Sequence, residues 1–461
     1  MNSISLKRKE MTESVSQFDS IVIGLGKTGV SVADYLLAQG QRIAVVDSRL
    51  QPPDIESFVH RYPNVPLYLG AFEQSILSRA TRLILSPGVS MREPAIQKAM
   101  ATGVQLSSDI EIFCQQAKAP IIAVTGSNGK STVVTLLTSM IEQSGYRAIL
   151  AGNIGIPVLD ILRDDIPDFY VLELSSFQLE TLSSLNAIVS LVLNISPDHM
   201  DRYESFAEYV ATKQRIYAGD GKMVLNRDDS LVADMAKQNR TAIFYGLSEP
   251  DENDFGLRTI NEEIFLCHGE KELMPASALK HHARYNISNA LATLALGHAI
   301  GLPMQSMLTA LQAFSGLPHR CQWLANIEGV NWFDDSKGTN VGATCAAIEG
   351  LGNDQQLILI AGGDGKQADF SPLTKAIKEH VRITILIGKD AGLIDQILAK
   401  ESQRYFATSM EAAVSTAASL ARSGEAVLLS PACASQDMFR DYKHRGEVFG
   451  KAVRALTGAR K

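Results

Sequence analysis

Short, nearly uninterrupted apolar runs alternate along this chain with longer stretches in which apolar residues return every three or four positions. The runs at 20–23, 42–46, 121–124, 169–174, 187–193, 357–360, 383–387 and 426–429 read as buried strands. The stretches at 30–39, 132–143, 209–217, 286–300 and 303–314 read as amphipathic or buried helices. Strand followed by helix, again and again, predicts an α/β protein with mostly parallel sheets. Polar or Pro/Gly-containing breaks divide the pattern into an N-terminal extension at 1–17 and domains at 18–117, 118–317 and 318–461. The extension is polar and expected to be loosely packed.

Length agrees with several domains, because 461 residues exceed what one compact core accommodates. The formal net charge of −7 gives the whole molecule no attraction for nucleic acid or anionic membrane, so any phosphate binding must be local. Cys114, Cys267, Cys321, Cys345 and Cys433 are odd in number and never spaced as C-x-x-C. That argues against a disulfide framework or a zinc site and fits a reducing compartment. No apolar stretch reaches the ~18 residues a membrane-spanning helix needs, and the start lacks the apolar segment of a signal peptide. The expectation is a soluble cytoplasmic protein without a membrane span or a nucleic-acid partner.

The most informative residues are Thr125-Gly126-Ser127-Asn128-Gly129-Lys130-Ser131, with an apolar strand before them and a helical stretch from Thr132 after them. A strand turning through glycines into a helix aims several unpaired N–H groups at one point, where the helix dipole favours an anion. Lys130 can reach terminal phosphates and Ser131 can hold Mg²⁺. Val124 stands where the strict Walker pattern has its first glycine, so this is a variant phosphate loop. The reading is ATP binding.

Gly24-Leu25-Gly26-Lys27-Thr28-Gly29 also follows a strand and opens a helix, with Asp47 ending the next strand. Alone this dinucleotide fingerprint suggests a nicotinamide cofactor, but its glycines serve the diphosphate and admit other diphosphate ligands. Ser86-Pro87-Gly88 ends another strand at the same expected sheet edge.

Further polar groups end strands elsewhere. Glu173, which without the phosphate loop would read as a helix N-cap or a salt-bridge partner, is placed beside that loop to hold Mg²⁺. His199 falls in Asn194-Ile195-Ser196-Pro197-Asp198-His199-Met200-Asp201-Arg202, where coordinating and charged types crowd a strand end. Lys213, by its helical position alone, reads as a solvated surface lysine. Arg320 sits at a domain boundary from which it could reach ATP. Asp334-Asp335-Ser336-Lys337-Gly338-Thr339-Asn340 precedes a helix, where two carboxylates could simply cap it. Lys366, in a glycine turn, and Ser435, at a strand end, complete the set; Cys433 has no histidine pattern to make it a nucleophile.

Read together and in order, these motifs resemble the Mur ligase family, the ATP-dependent amino-acid-adding enzymes of peptidoglycan synthesis. The resemblance covers nearly the whole chain after residue 17. It implies three domains: Rossmann-like, central P-loop ATPase with a mostly parallel sheet, and Rossmann-like again. Asp335-Ser336-Lys337-Gly338-Thr339-Asn340, Gly362-Gly363-Asp364-Gly365-Lys366 and Ser430-Pro431-Ala432-Cys433-Ala434-Ser435 are similar to the members that add D-glutamate. The substrates so implied are ATP, UDP-N-acetylmuramoyl-L-alanine and D-glutamate, with two Mg²⁺ ions and a monomeric enzyme.

By the same resemblance, the UDP substrate would meet Leu25, Gly26, Lys27, Thr28, Asp47, Ser48, Arg49, Ser86, Pro87, Gly88, Asn153 and His199. ATP would meet Gly126, Ser127, Asn128, Gly129, Lys130, Ser131, Thr132, Asn286, Asn289, Arg320 and Asp335. D-Glutamate would meet Lys337, Thr339, Lys366, Ser435, Gln436 and Tyr442. Ser131, Glu173, His199 and a carbamylated Lys213 would ligate metal, and Lys130, His199 and Lys213 carry the catalytic roles. The chain departs from the family's pattern at Tyr285, Gly338, Gln436 and Tyr442.

Overall fold

The computed structural model describes residues 18–53, 55–163, 165–280, 283–353, 355–398 and 402–458; the expected N-terminal extension lies outside the described residues. Two compact units emerge from the packing, one ending at Lys118 but also including Gly155–Ile166 and Glu180–Leu185, the other comprising the rest.

The first unit is built on five parallel strands, β1 (Phe18–Ile23), β2 (Ile43–Asp47), β3 (Leu67–Leu69), β4 (Ala80–Leu85) and β5 (Gln105–Ser108), in the order β3-β2-β1-β4-β5. Helices α1 (Lys27–Ala38), α2 (Ile55–Arg61), α3 (Gln74–Leu77), α4 (Pro94–Ala101) and α5 (Asp109–Gln116) connect them. Ile23 pairs with Val46 on one side and Leu85 on the other, so the turns after β1, β2 and β4 leave one sheet edge together. Two segments from later in the chain are tied into this unit. Ser31 Oγ donates to Asp160 at 2.7 Å, and the Glu111 carboxylate accepts from the N–H groups of Ser183 and Ser184.

The second unit contains two sheets. The larger has nine strands: β6 (Ile121–Thr125), β7 (Ala148–Gly152), β8 (Phe169–Glu173), β9 (Val189–Val192), β10 (Lys222–Asn226), β11 (Ala242–Tyr245), β12 (Phe255–Ile260), β13 (Glu263–His268) and β14 (Lys271–Pro275). Their order is β14-β13-β12-β11-β10-β9-β6-β8-β7, with β6 between β8 and β9. Val124 is in register with Glu173, and Thr125 with Val192, which brings that carboxylate to the edge where the phosphate loop begins. Helices α6 (Lys130–Gln143), α7 (Ser176–Leu179), α8 (Phe206–Gln214), α9 (Ser230–Ala233), α10 (Arg284–Ala299) and α11 (Met304–Ala313) complete this lobe. Buried aliphatics of α6 and α10 form its core with β6 and β9. Strands β12–β14 are antiparallel. Asn261 and Glu262 both adopt positive φ between β12 and β13, a two-residue turn that suits a tight hairpin.

The smaller sheet contains β15 (Gln322–Ile327), β16 (Val330–Asp334), β17 (Leu357–Gly362), β18 (Val381–Ile387), β19 (Gln403–Phe406) and β20 (Ala426–Leu429), ordered β15-β16-β20-β17-β18-β19. All neighbours but β15 and β16 run parallel. Asp334 and Ile360 both align with Leu429, so the loops after β16, β20 and β17 leave one edge together. Helices α12 (Val341–Gly352), α13 (Leu373–His380), α14 (Ala391–Ile397), α15 (Met410–Leu420) and α16 (Tyr442–Gly458) cover it. The expected fold class holds: α/β, three sheets, mostly parallel.

Candidate functional site

In the first unit the glycine turn, Asp47-Ser48-Arg49 and Ser86-Pro87-Gly88 share the edge described above. Asp47 is itself buried, and its carboxylate is used within the protein. It accepts from the Leu25 N–H at 2.7 Å, from the Arg49 N–H at 2.9 Å, and from Arg49 Nε and Nη2. Burial alone would raise its pKa; the Arg49 guanidinium and these N–H groups outweigh that and hold it below the ordinary carboxylate value. Asp47 therefore braces the turn and the loop that bears Arg49.

In the second unit the phosphate loop leaves β6 and enters α6 through Gly129, whose φ of +83° lies in the left-handed region. Ser127 N–H and Asn128 N–H are held by Asn194, and Ser127 Oγ is shared between Ser196 and Tyr209. Lys130 Nζ folds back onto the carbonyls of Gly126 and Ser127 at 2.7 and 2.9 Å. Burial lowers its pKa, against the opposing pull of Glu173 and Asp198.

Two cavities adjoin this loop. One, of about 300 Å³, is lined by Asn128, Gly129, Thr132, Asn286, Asn289, Arg320 and Asp335, and also by Tyr285, Cys321 and the start of α12. The other, of about 350 Å³, is lined by the loop from Gly126 to Ser131, by Asn153, Glu173, His199 and Lys213, and by Lys337, Thr339, Lys366, Ser435, Gln436 and Tyr442. Residues expected at nucleotide, metal and amino-acid positions thus border one space, contributed by both sheets of the unit. Arg320 Nη2 donates to Ser131 Oγ at 2.8 Å, and Lys366 Nζ donates to Asp198 Oδ1 at 2.8 Å. Lys337 Nζ lies 4.0 Å from the Tyr442 ring centroid, and burial lowers its pKa to about 8.

Lys213 corrects the surface reading made from its helical position. It is 2 % exposed, with Nζ donating to the Gly126 carbonyl at 2.9 Å. Burial and the nearby Lys130 ammonium push its pKa well below the ordinary lysine value. His199 is held neutral, burial lowering its pKa to about 4, and its ring meets Phe177 edge-on. Burial raises the Asp335 carboxyl to about 7, while Ser430 Oγ and the Cys321 N–H donate to it. Glu173 Oε1 accepts from Asn153 Nδ2 at 2.7 Å; its other oxygen is buried without a hydrogen-bond partner among the described residues. A buried, half-satisfied carboxylate beside Ser131 and a proton-poor lysine is a donor set that fits a hard divalent cation.

Three residues that border or brace the site were not singled out from sequence. Asp198 lay inside a quoted motif and Asn340 ended another; Asn340 Nδ2 donates to Asn128 Oδ1 and Asp198 Oδ2. Arg445, 1 % exposed, donates to Ser336 Oγ and to the carbonyls of Ser336, Cys433 and Ala434. An arginine in a helix gives no sequence signal of burial.

A phosphate loop bordering a pocket that Lys337 and Lys366 of a second α/β sheet also line defines the class. The family models "Mur ligase MurD-like, N-terminal domain", "Mur ligase middle domain" and "Mur ligase, glutamate ligase domain" match residues 19–108, 124–297 and 319–433. The chain belongs to the Mur ligase family of ATP-dependent ligases. It is 50% identical over 437 residues, 95% of this chain and 96% of the relative, to the UDP-N-acetylmuramoylalanine–D-glutamate ligase of Nitrosococcus oceani. It is 49% identical over 439 residues, 95% and 98% of the two chains, to the Pseudomonas aeruginosa protein of the same name. Its fold is like that of the MurF ligase from Thermotoga maritima in complex with ADP, with TM-score 0.61, 16% identity and 96% of each chain covered. The UDP-N-acetylmuramate-alanine ligase MurC from the same organism gives TM-score 0.60 at 17% identity, covering 95% of this chain and 100% of that one. Among the described residues no helix is long and apolar enough to cross a membrane.

Proposed function

We propose that this chain joins D-glutamate to UDP-N-acetylmuramoyl-L-alanine at the expense of ATP, through an acyl phosphate. The observation that carries this reading is the 350 Å³ cavity, in which phosphate-loop residues and Lys337, Thr339, Lys366, Ser435 and Tyr442 face one space. Near-full-length identity of about half to relatives bearing that activity's name supports it.

A carboxylate oxygen is too poor a leaving group for an amine to displace. The alanyl carboxylate therefore attacks the γ-phosphorus of ATP; its O–P bond forms as the bridging P–O bond to ADP breaks. The D-glutamate amine then adds to the acyl carbon, the tetrahedral adduct expels phosphate, and the departing phosphate carries off the amine proton. Every reactant is anionic, so positive charge must be preorganised where charge moves. Loop N–H groups, Lys130 and Arg320 hold the triphosphate, with Asn286, Asn289 and Asp335 around the rest of the nucleotide. Lys337, Thr339, Lys366, Ser435, Gln436 and Tyr442 orient D-glutamate. In the first domain, 18–117, the turns at Leu25–Thr28, Asp47–Arg49 and Ser86–Gly88 bind the uridine diphosphate; Asn153 and His199 face its muramoyl end. The central and C-terminal domains, 118–317 and 318–461, bring ATP and the amino acid.

Mg²⁺ would be held at two sites by Ser131, Glu173, His199 and Lys213, where it neutralises phosphate charge. Among the described residues no three His, Cys, Asp or Glu side chains gather as a metal cluster. A carbamate on Lys213 supplies the missing anionic oxygen, and its neutral amine is the form that adds CO₂. The expected setting is the cytoplasm, with the protein acting as a monomer.

The test is phosphate release with UDP-N-acetylmuramoyl-L-alanine, ATP and either D- or L-glutamate. Release dependent on the uridine compound and on the D-isomer is expected. Release indifferent to both would overturn the reading.

A further inference from the structure

Arg320 reaches the phosphate loop from a turn with unusual backbone geometry. Its neighbours His319 and Cys321 both have positive φ, +62° and +44°, a conformation non-glycine residues adopt only when their surroundings impose it. Asp334 and Asp335 hold the two ends of this turn. Asp335 Oδ1 accepts from the Cys321 N–H, and Asp334 Oδ2 lies 2.7 Å from His319 Nδ1. The His319 carbonyl accepts from the Lys337 N–H at 3.1 Å, and the second oxygen of Asp334 accepts from the Ser336 N–H at 2.9 Å. Asp334 is 1 % exposed and lines neither cavity.

The third partner is Gly446, inside α16. Glycine in a helix is unfavourable, so an interior one invites a packing reason. A Cβ at 446 would stand 2.2 Å from His319 Nδ1 and 2.7 Å from Asp334 Oδ2, against both of the atoms that pair. Helix α16 has little room to shift, because Arg445, next to Gly446, is bonded to three carbonyls and the Ser336 hydroxyl. The missing side chain is thus the slot that lets imidazole and carboxylate meet.

We propose that Asp334 and Gly446 are positioning residues for Arg320: they clamp His319 and so fix the strained turn that aims the guanidinium at the phosphate loop. The inference rests on the reading above, in which Arg320 meets ATP. Asp334 is the first of two carboxylates whose sequence context suggested only helix capping. In the structure the side chain that caps α12 is Asn340, accepting from the Ala343 N–H at 2.8 Å.

The hydrogen bond to Asp334 raises the His319 pKa despite burial; the Asp334 and Glu447 charges add to it, and Lys443 opposes. Tyr442 packs its ring edge-on to the imidazole. A raised histidine pKa means the charged pair is complete at low pH and weakens as pH rises through the folded value.

The experiment is a double-mutant cycle on the full chain, comparing wild type, Asp334→Asn, Gly446→Ala and Arg320→Ala, and each of the first two combined with Arg320→Ala. Asp334→Asn and Gly446→Ala are each expected to lower kcat/KM for ATP about tenfold. KM for D-glutamate should stay within about twofold of wild type. In the Arg320→Ala background neither should lower kcat/KM for ATP further. Losses that multiply there would overturn the proposal, since general loosening of the fold adds to any other defect. The alkaline fall of kcat/KM for ATP should move to lower pH in Asp334→Asn; an unmoved limb counts against the clamp. Should Gly446→Ala fail to fold, Asp334→Asn carries the cycle alone. If wild type shows no D-glutamate-dependent turnover, the functional reading has failed by itself. The same cycle is then read from ATP-induced thermal stabilisation, where non-additivity supports the clamp and additivity overturns it.

Discussion

Lys366 and Asp198, 168 residues apart in the chain, form an ion pair at 2.8 Å that joins the loop after β17 to the loop after β9. The same carboxylate faces His199 and accepts from Asn340 Nδ2. A lysine already neutralised by an internal carboxylate can exchange it for a carboxylate of the substrate with little net desolvation. Lys366→Ala is therefore expected to lower kcat/KM for D-glutamate by roughly ten- to a hundredfold, the value of one charge-assisted hydrogen bond of about 1.5–3 kcal/mol. KM for ATP should barely move. Steady-state kinetics with D-glutamate varied at saturating ATP checks this, and an unchanged value would put the amino acid elsewhere.

Glu173 offers a separate test of the metal assignment. One carboxylate oxygen is fixed by Asn153 and the other is buried without a partner among the described residues. Replacing it by glutamine keeps the shape and removes the charge that a cation would use. Glu173→Gln should raise the Mg²⁺ concentration for half-maximal turnover by on the order of ten- to a hundredfold while leaving thermal stability equal or higher. Magnesium titrations of both proteins measure it; superimposable curves would remove Glu173 from the ligand set.

What could be read from sequence was local. The phosphate loop was legible because strand, glycines and helix are contiguous, and the run at 426–429 coincides with β20 because four aliphatics sit between clear breaks. The antiparallel strands β12–β14 were not legible: Phe255–Ile260 places Arg258 and Thr259 in a weakly alternating pattern, and the hairpin depends on Asn261 and Glu262 adopting positive φ. Lys213 read as solvated because its own helix says nothing of the Gly126 carbonyl 87 residues away that it meets. The slot at Gly446 has no signature in the sequence for the same reason, being defined by His319 and Asp334 from remote strands and turns.

Asp47 gives a pH-dependent prediction for the first unit. Its folded pKa lies below the ordinary value, so the stabilisation it contributes is complete above the unfolded pKa of ~3.9 and is lost as pH falls through the lower folded value. Asp47→Asn, which weakens the bonds to Leu25 and Arg49, should cost on the order of 2 kcal/mol at neutral pH. The gap to wild type should narrow as the pH is lowered from about 5 toward about 3. Urea titrations across that range report it. The variant should also lose the thermal protection that a uridine diphosphate sugar gives the wild type, because the Leu25 turn is no longer braced.

The burial of Lys213 bears most directly on the chemistry. A buried lysine beside the Lys130 ammonium is uncharged far more readily than a surface lysine, and an uncharged amine adds to CO₂ with loss of a proton. The product is an anion, which trades cation–cation repulsion for attraction and gives a metal an oxygen donor. Intact-protein or peptide mass measurement under mild conditions should find about 44 mass units more on Lys213 when bicarbonate is supplied, the increment of one CO₂ added to the amine. Lys213→Ala should lose most activity, on the order of a hundredfold or more, as expected for removal of a metal-bound group. Short carboxylic acids, small enough to enter the space vacated by the side chain, should restore part of it in a concentration-dependent way. The same acids should leave wild type unaffected, and a Lys213→Ala variant that turns over normally without them would rule the carbamate out.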